Sequence, residues 1–361
     1  MAIASRVHKK IPAAGIDIGF FSTKYSLGES LGPSGSEIVV DQFHSIAAQL
    51  ARPELQHLPN SAELDAAVVS VNGVPYGVGK SVLSLLGATG QVRASSQDYC
   101  KSPAYHALFL GALHYIAKGL GCSGDLVIET LTMGLPLNTV YDHAEFVQQL
   151  ATGEHVVPSP GRQTSNMKVI VKNVIVIAQP QGAIVNYTNG LDRKVKAEEM
   201  CLVLDMGGGT FDWFVCTGDF APDYERCGAT NTGALACANT VCDSIKPGLK
   251  EDARTVSKID RALRMGESSV SIAGHVHELA TYWPMVSATL HKAITQMRNQ
   301  VGRLEGFDHI LLTGGGATIL EKVFLDDHKE FSNITALDVE PVFSNVKGFH
   351  RIAQYIADGG E

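Results

Sequence analysis

At 361 residues the chain is too long for one ordinary core and reads as two domains, since domains run to roughly 100–200 residues. Its net charge of −8 excludes a broad nucleic-acid surface, which would need a local excess of Lys and Arg facing the phosphates. No uncharged apolar run approaches the ~20 residues of a membrane span, and Asp17 interrupts the first apolar stretch, so neither a signal core nor membrane binding is expected. The seven cysteines are odd in number and irregularly spaced, which suits reduced thiols in a cytoplasm. Cys227, Cys237 and Cys242 lack a CxxC knuckle and read as small buried residues rather than zinc ligands.

In chain order, residues 1–11 carry Arg6, Lys9 and Lys10 and read as a basic, flexible tail. Ala14 to Gly19 is a short strand breaking into a tight turn, and Thr23 to Leu27 resumes the alternation of a hairpin. Residues about 30–98 are punctuated by Gly, Pro and Ser, with a strand pair around Val68 to Val78, and read as a small, loose insertion. Ser102-Pro103 opens a helix: serine caps free N–H groups and proline is tolerated in the first turn. A strand at Leu126–Leu131, a helix at about Tyr141–Leu150 and a Val/Ile-rich strand at Met167–Ala178 follow. Gln179-Pro-Gln-Gly182 turns into the next helix.

A second strand–glycine–strand unit spans Cys201–Cys216, followed by a helix at about Ala234–Ile245 and a small, charged, irregular insertion at 247–280. Val286, Leu290, Ile294, Met297 and Val301 repeat at helical spacing. The strand Ile310–Thr313 runs into Gly314-Gly-Gly-Ala317 and a helix, and Ser344–Gly348 turns into a last helix. Each half thus holds a hairpin with Asp-x-Gly at its tip (Asp17-Ile-Gly19, Asp205-Met-Gly207), which reads as a weak internal duplication.

Glycines at strand ends let backbone N–H groups approach a phosphate closely. Gly19 and Gly207–Gly209 with Thr210 have that character, and three glycines inside a strand pair weaken it unless a ligand lies there. An aspartate just before such a turn can hold Mg2+ through its waters. Asp17 and Asp205, one per half, would therefore place metal and phosphates in the cleft between domains, with Lys24 reaching a phosphate as a point charge. A lone Asp-x-Gly is usually only a turn, a lone lysine usually surface, and Gly314–Gly316 serves equally as a tight turn or a helix-terminal phosphate or ribose seat.

Together these motifs resemble the actin, heat-shock-chaperone and sugar-kinase superfamily over about Gly15 to Ile356. Five signatures stand in that family's order: Asp17-Ile-Gly-Phe-Phe-Ser-Thr-Lys24, Gln179-Pro-Gln-Gly-Ala183, Asp205-Met-Gly-Gly-Gly-Thr-Phe-Asp212, Leu312-Thr-Gly-Gly-Gly-Ala317 and Asn345-Val-Lys-Gly-Phe349. The first and last, with Gly134-Leu-Pro-Leu-x-x-x-Tyr-Asp142, look most like plasmid-segregation actins of the ParM type and their archaeal relatives. The resemblance implies an α/β, two-domain actin-like ATPase fold: duplicated ribonuclease-H-like domains at 12–188 and 189–356, each with a small subdomain insertion, nucleotide in the interdomain cleft.

It also implies roles. Asp17 and Asp205 would anchor hydrated Mg2+. Gly19, Ser22, Thr23, Lys24, Gly207, Gly208, Gly209, Thr210 and Gly233 would hold the phosphates of ATP or ADP, and Gly314, Gly315, Gly316 and Ala317 the adenosine. The hydrolytic water would be oriented by a glutamine at the start of the first connecting helix. Gln181 fits the ParM and actin spacing and is preferred; Gln179 fits the chaperone spacing. Phe20 and Phe21 stand where many relatives carry small hydroxyl residues. The implied function is a slow ATP hydrolase, in a bacterial cytoplasm, that assembles with ATP into filaments and disassembles after hydrolysis, driving plasmid segregation through a DNA-binding adaptor. The alternatives within the superfamily are an MreB-like cytoskeletal actin, a chaperone-type ATPase, disfavoured because the chain leaves no room for a peptide-binding domain, and a small-molecule kinase, for which no catalytic aspartate is nominated.

Overall fold

A computed structural model describes residues 6–32, 35–50, 64–85, 98–160, 165–191 and 195–360. They divide into two compact units: the first holds Met1–Leu135, Thr139–Gly182 and Val346–Glu361, the second Pro136–Asn138 and Ala183–Asn345.

In unit 1, β1 (Lys9–Ile18), β2 (Ser22–Gly32) and β3 (Gly35–Gln49) form an antiparallel meander. β4 (Ala67–Val71) and β5 (Val74–Gly79) are a hairpin whose turn residues Asn72 and Gly73 have φ of 51° and 78°. Positive φ at both central positions matches the twist of the strands, which is why an Asn-Gly pair closes it. α1 (Pro103–Gly119) is capped by Ser102, whose Oγ accepts from the Tyr105 N–H at 3.1 Å. Then come β6 (Leu126–Leu135), α2 (Val140–Ala151), β7 (Gly153–Pro158), β8 (Asn166–Ala178) and α3 (Gln179–Asn189). The sheet order is β4-β5-β3-β2-β1-β6-β8-β7, with β1, β6 and β8 parallel. Ala107 to Ala117 of α1 are buried without a break, because the sheet curls around the helix until its edge strands β4 and β7 approach each other. A helix apolar on all sides has no other stable location in water.

Unit 2 contains β9 (Met200–Met206), β10 (Phe211–Thr217), β11 (Gly228–Thr230), α4 (Ala234–Ile245) and α5 (Ala253–Arg264). A two-stranded hairpin of β12 (Ser269–Ile272) and β13 (His275–Glu278) follows, then α6 (Trp283–Val301), β14 (His309–Thr313), α7 (Ala317–Asp327) and β15 (Thr335–Leu337). The main sheet has the order β11-β10-β9-β14-β15. α8 (Ser344–Ala357) closes the chain.

The duplication is visible strand by strand. β3-β2-β1-β6-β8 of unit 1 and β11-β10-β9-β14-β15 of unit 2 share order and sense: two antiparallel neighbours, then two parallel ones. In both, a helix begins soon after the fifth strand: α3 after β8, α8 after β15.

Several boundaries differ from the sequence reading. The tail expected at 1–11 becomes strand at Lys9, where β1 pairs with β6 from Lys9↔Leu126 onward; residues 1–5 lie outside the described residues. The insertion expected at 30–98 is not a separate piece in its described part, because β3 pairs along the length of β2 and the β4–β5 hairpin adds to the same sheet; 51–63 and 86–97 of it lie outside the described residues. The stretch 247–280 is ordered into α5 and the β12–β13 hairpin, with Asp252 accepting from the N–H groups of Arg254 and Thr255 at the helix start. The units divide at Gly182 rather than 188, and α8 from Val346 belongs to unit 1 instead of the second domain. That return is set by packing: a side chain at Gly15 would meet the Val346 carbonyl at 2.7 Å, and one at Gly348 would collide with the Gly182 backbone.

Candidate functional site

In unit 1, Asp17 is the penultimate residue of β1 and lies opposite Lys24 across the hairpin. Its carboxylate is buried, at 1% exposure, and both oxygens are engaged: Oδ2 accepts from Lys24 Nζ at 2.8 Å and Oδ1 from Gln179 Nε2 at 2.7 Å. Burying a carboxylate is costly unless it is paired and hydrogen-bonded, and both conditions are met here. The turn is closed by Gly19 N–H donating to the Ser22 carbonyl at 3.1 Å, and a side chain at Gly19 would come 3.2 Å from Lys24 Nζ.

The sequence candidates around this turn separate. Gln179, the first residue of α3, reaches Asp17, whereas the Gln181 Oε1 turns back to accept from the Ala178 N–H at 2.9 Å. Gln181 thereby satisfies one of the free donors at the helix start. Thr23 is fully buried, its hydroxyl 2.9 Å from the Ser45 hydroxyl, so its side chain belongs to the core. Phe20 packs edge-on against Tyr99, with ring centroids 6.3 Å apart, and Tyr99 against Tyr105 at 5.7 Å. Apolar aromatic surface thus occupies one side of the turn.

In unit 2, Asp205 is the penultimate residue of β9, and its partner across the hairpin is Asp212. Asp205 Oδ2 accepts from Asn345 Nδ2 at 2.7 Å. Gly314, at φ 86°, lies where any side chain would collide with Asp205 Oδ1 and the Met206 carbonyl. Asp212 is 1% exposed and accepts from the Leu137 N–H at 2.8 Å. Burial foremost, with the Asp205 charge beside it, pushes its carboxyl up to about 7, against the pull of the Thr210 hydroxyl and the Leu137 N–H.

Gly207 and Gly208 form the turn, their carbonyls accepting from Ala234 and Leu235 at the start of α4 at 2.9 and 3.0 Å. Gly233 must be glycine, since a side chain there would meet the Gly208 carbonyl oxygen at 2.5 Å. Gly316 N–H donates to the Met206 carbonyl at 2.8 Å, which seats the Gly314–Gly316 loop and Ala317, the first residue of α7, against the end of β9. Gly207, Gly208, Gly233 and Gly314–Gly316 are therefore gathered at one end of the β9–β10 hairpin. The sequence reading missed three residues here: Asn345, Asp212 as Asp205's partner, and Arg264. Arg264 on α5 pairs with buried Asp260 at 2.7 Å and passes 4.0 Å from where a Gly315 side chain would begin. Asn345 and Asp212 were inside quoted motifs, but their contacts depend on strand register and on the return of the chain at α8.

With this geometry in place, comparison with known proteins is informative. An actin-like-protein N-terminal domain family matches residues 15–182, and the C-terminal domain of the archaeal, MreB-like actin homologues matches 203–326. Ta0583, an archaeal actin homolog, is similar over 96% of this chain and 99% of its own, at 18% identity and a TM-score of 0.71; its complex with ADP gives 17% and 0.68, over 96% and 99%. The apo psk41 ParM protein covers 96% of this chain and 97% of its own, at 18% identity and 0.67. The Alp12 filament structure covers 94% and 97%, at 13% identity and 0.59. At these identities the likeness establishes the two-domain actin-like fold. No curated protein sequence matches the chain.

Proposed function

We propose that this chain, which belongs to the actin-like proteins, binds ATP with Mg2+, hydrolyses it, and assembles with copies of itself into filaments that come apart after hydrolysis. The observation that carries the reading is the duplicated acidic tip: Asp17 and Asp205 occupy equivalent places in two sheets of the same strand order, each beside a glycine turn and each held by a carboxamide. The ADP complex of Ta0583 and the Bacillus thuringiensis ParM with AMPPNP support a nucleotide ligand, and the Alp12 filament supports self-assembly.

The donor set fits a hydrated magnesium ion. At the unit 2 tip Asp205 offers hard carboxylate oxygens, Gly314 lets backbone pass close beside them, and among the described residues the buried Asn345 Oδ1 finds no protein donor, as an acceptor meant for water would. Bound there, magnesium would neutralise charge on the phosphates. The chain's own residues do the rest. Lys24 offers a point charge to a phosphate, and the turn of Gly207, Gly208 and Gly209 lets backbone approach it. Gly315, in the loop of Gly314, Gly315 and Gly316, leaves open backbone for adenosine, with the Arg264 side-chain stem alongside. Gln179 orients the attacking water, because it is the glutamine that reaches the Asp17 cluster while Gln181 is spent on the helix start. A carboxamide is a poor base, so turnover is slow.

The finer reading is plasmid segregation, in which a DNA-binding adaptor links filament to DNA; the ParM-like motifs and the net charge of −8 support a separate adaptor. Among the described residues no helix is long and apolar enough to cross a membrane. Calorimetry with ADP and Mg2+, with pelleting and negative-stain microscopy in Mg-ATP, tests the function. Magnesium-dependent uptake should be lost in Asp17→Ala and Asp205→Ala, and filaments should form with ATP only. Uptake indifferent to both substitutions, or no assembly over a wide protein concentration range, refutes it.

A further inference from the structure

We propose that Asn345 is a positioning residue for Asp205, the unit 2 counterpart of Gln179 at Asp17, and that its Oδ1 accepts from a water of the bound cation–nucleotide group. The inference rests on the nucleotide reading and extends it to a residue outside the glycine and aspartate motifs.

The two contacts are equivalent by topology. Gln179 opens α3 after the fifth strand of its sheet; Asn345 is the second residue of α8 after the fifth strand of the other. Each sends a side-chain N–H to the aspartate on the central strand, at 2.7 Å in both cases. The longer side chain stands one place earlier in its helix and the shorter one place later, so both reach.

The orientation of the Asn345 amide is fixed by chemistry. An ionised carboxylate only accepts, so the NH2 group must face Asp205 and the carbonyl oxygen must face away from it. That oxygen is buried, in a residue 7% exposed, and among the described residues no group donates to it. A buried amide oxygen without a donor is costly, and a native site normally supplies one, protein or ordered water. Asp205 itself is confined from the other side by Gly314, so the amide sets which way the carboxylate turns. Partners behind a metal-binding carboxylate typically contribute ten- to hundred-fold in affinity.

The test measures binding rather than turnover. In calorimetry at fixed ADP, Asn345→Leu, of similar volume but unable to donate or accept, should raise the magnesium concentration for half-maximal nucleotide uptake about ten-fold or more. Gln179→Met should do the same through Asp17. A packing role alone would leave that requirement unmoved in a folded variant. In the unaltered protein labelled with 15N-asparagine, the Asn345 side-chain amide signals should move on adding Mg2+ to the ADP-bound protein; this arm needs no variant to fold. Unchanged magnesium dependence in Asn345→Leu, or unmoved amide signals, overturns the inference and leaves the nucleotide reading standing. A wild-type chain that takes up no magnesium nucleotide overturns both.

Discussion

The two acidic tips share strand order, position and a carboxamide partner, yet differ in the residue across the hairpin: Lys24 faces Asp17, whereas Asp212 faces Asp205. The first tip is a cation beside a carboxylate, the second a pair of carboxylates relieved by backbone and amide donors. Duplicated geometry has therefore been kept while the electrostatics were set apart. On the proposed function, the first tip would meet phosphate charge directly, and the second would depend on backbone and on an added cation.

Breaking the first pair should have the largest effect. Lys24→Met leaves a carboxylate at 1% exposure without its cation, which typically costs about 3–5 kcal/mol. Denaturant unfolding of the variant should show a loss of that size, and nucleotide affinity should fall with it. A loss under about 1 kcal/mol would mean that Gln179 alone holds Asp17.

Next come the opposite pH responses of the two units. Asp212 has its folded value raised from 3.8 to about 7, so its contribution is fully present below pH 3.8 and is lost as pH rises through 7. His350 in unit 1 is 2% exposed, with Nδ1 2.9 Å from the Ser26 hydroxyl, which also accepts from the Gly15 N–H at 2.7 Å. Burial lowers it from 6.5 to about 4, so its contribution is present above pH 6.5 and lost as pH falls through 4. Each shift corresponds to a few kcal/mol at most. Denaturant midpoints across pH 4–8 should show Asp212→Asn flattening the loss toward neutral pH and His350→Asn flattening the loss toward acid. Identical profiles in both variants would contradict the assignment.

The smallest effect is expected at the aromatic side of the first turn. Phe20→Ser removes an edge contact worth about 1 kcal/mol. The new hydroxyl should tighten nucleotide binding by no more than about five-fold, one hydrogen bond's worth. Melting and calorimetry on the same sample check both.

The sequence carried the two tips plainly, because aspartate followed by glycine at a strand end leaves a local mark. It carried α1, α4, α6 and β14 for the same reason: periodicity and punctuation are local. What it did not carry depends on neighbours far along the chain. The partnership of Asp205 with Asp212 is a matter of register, and that with Asn345 spans 140 positions. Spacing prefers Gln181 over Gln179, but it does not carry which way each side chain turns: Gln179 reaches Asp17, and Gln181 bonds back to the helix start. α5 was read as irregular because its charged residues hid Val256, Ile259 and Leu263, although Asp252 is a good cap. Why Gly15 and Gly348 must be glycine was not legible, although Gly348 stands in a quoted signature, since the demand comes from α8 packing against Gly15 and Gly182, far away in the chain.

The enclosure of α1 has a consequence for how unit 1 comes into being. The helix cannot be wrapped until β4 and β7, drawn from distant parts of the chain, have both come home around it. Closing such long loops is slow compared with forming the helix itself. A nascent unit 1 therefore passes through a stage in which a thoroughly greasy helix lies uncovered, and at that stage the chain is most exposed to aggregation and most in need of a chaperone's shelter.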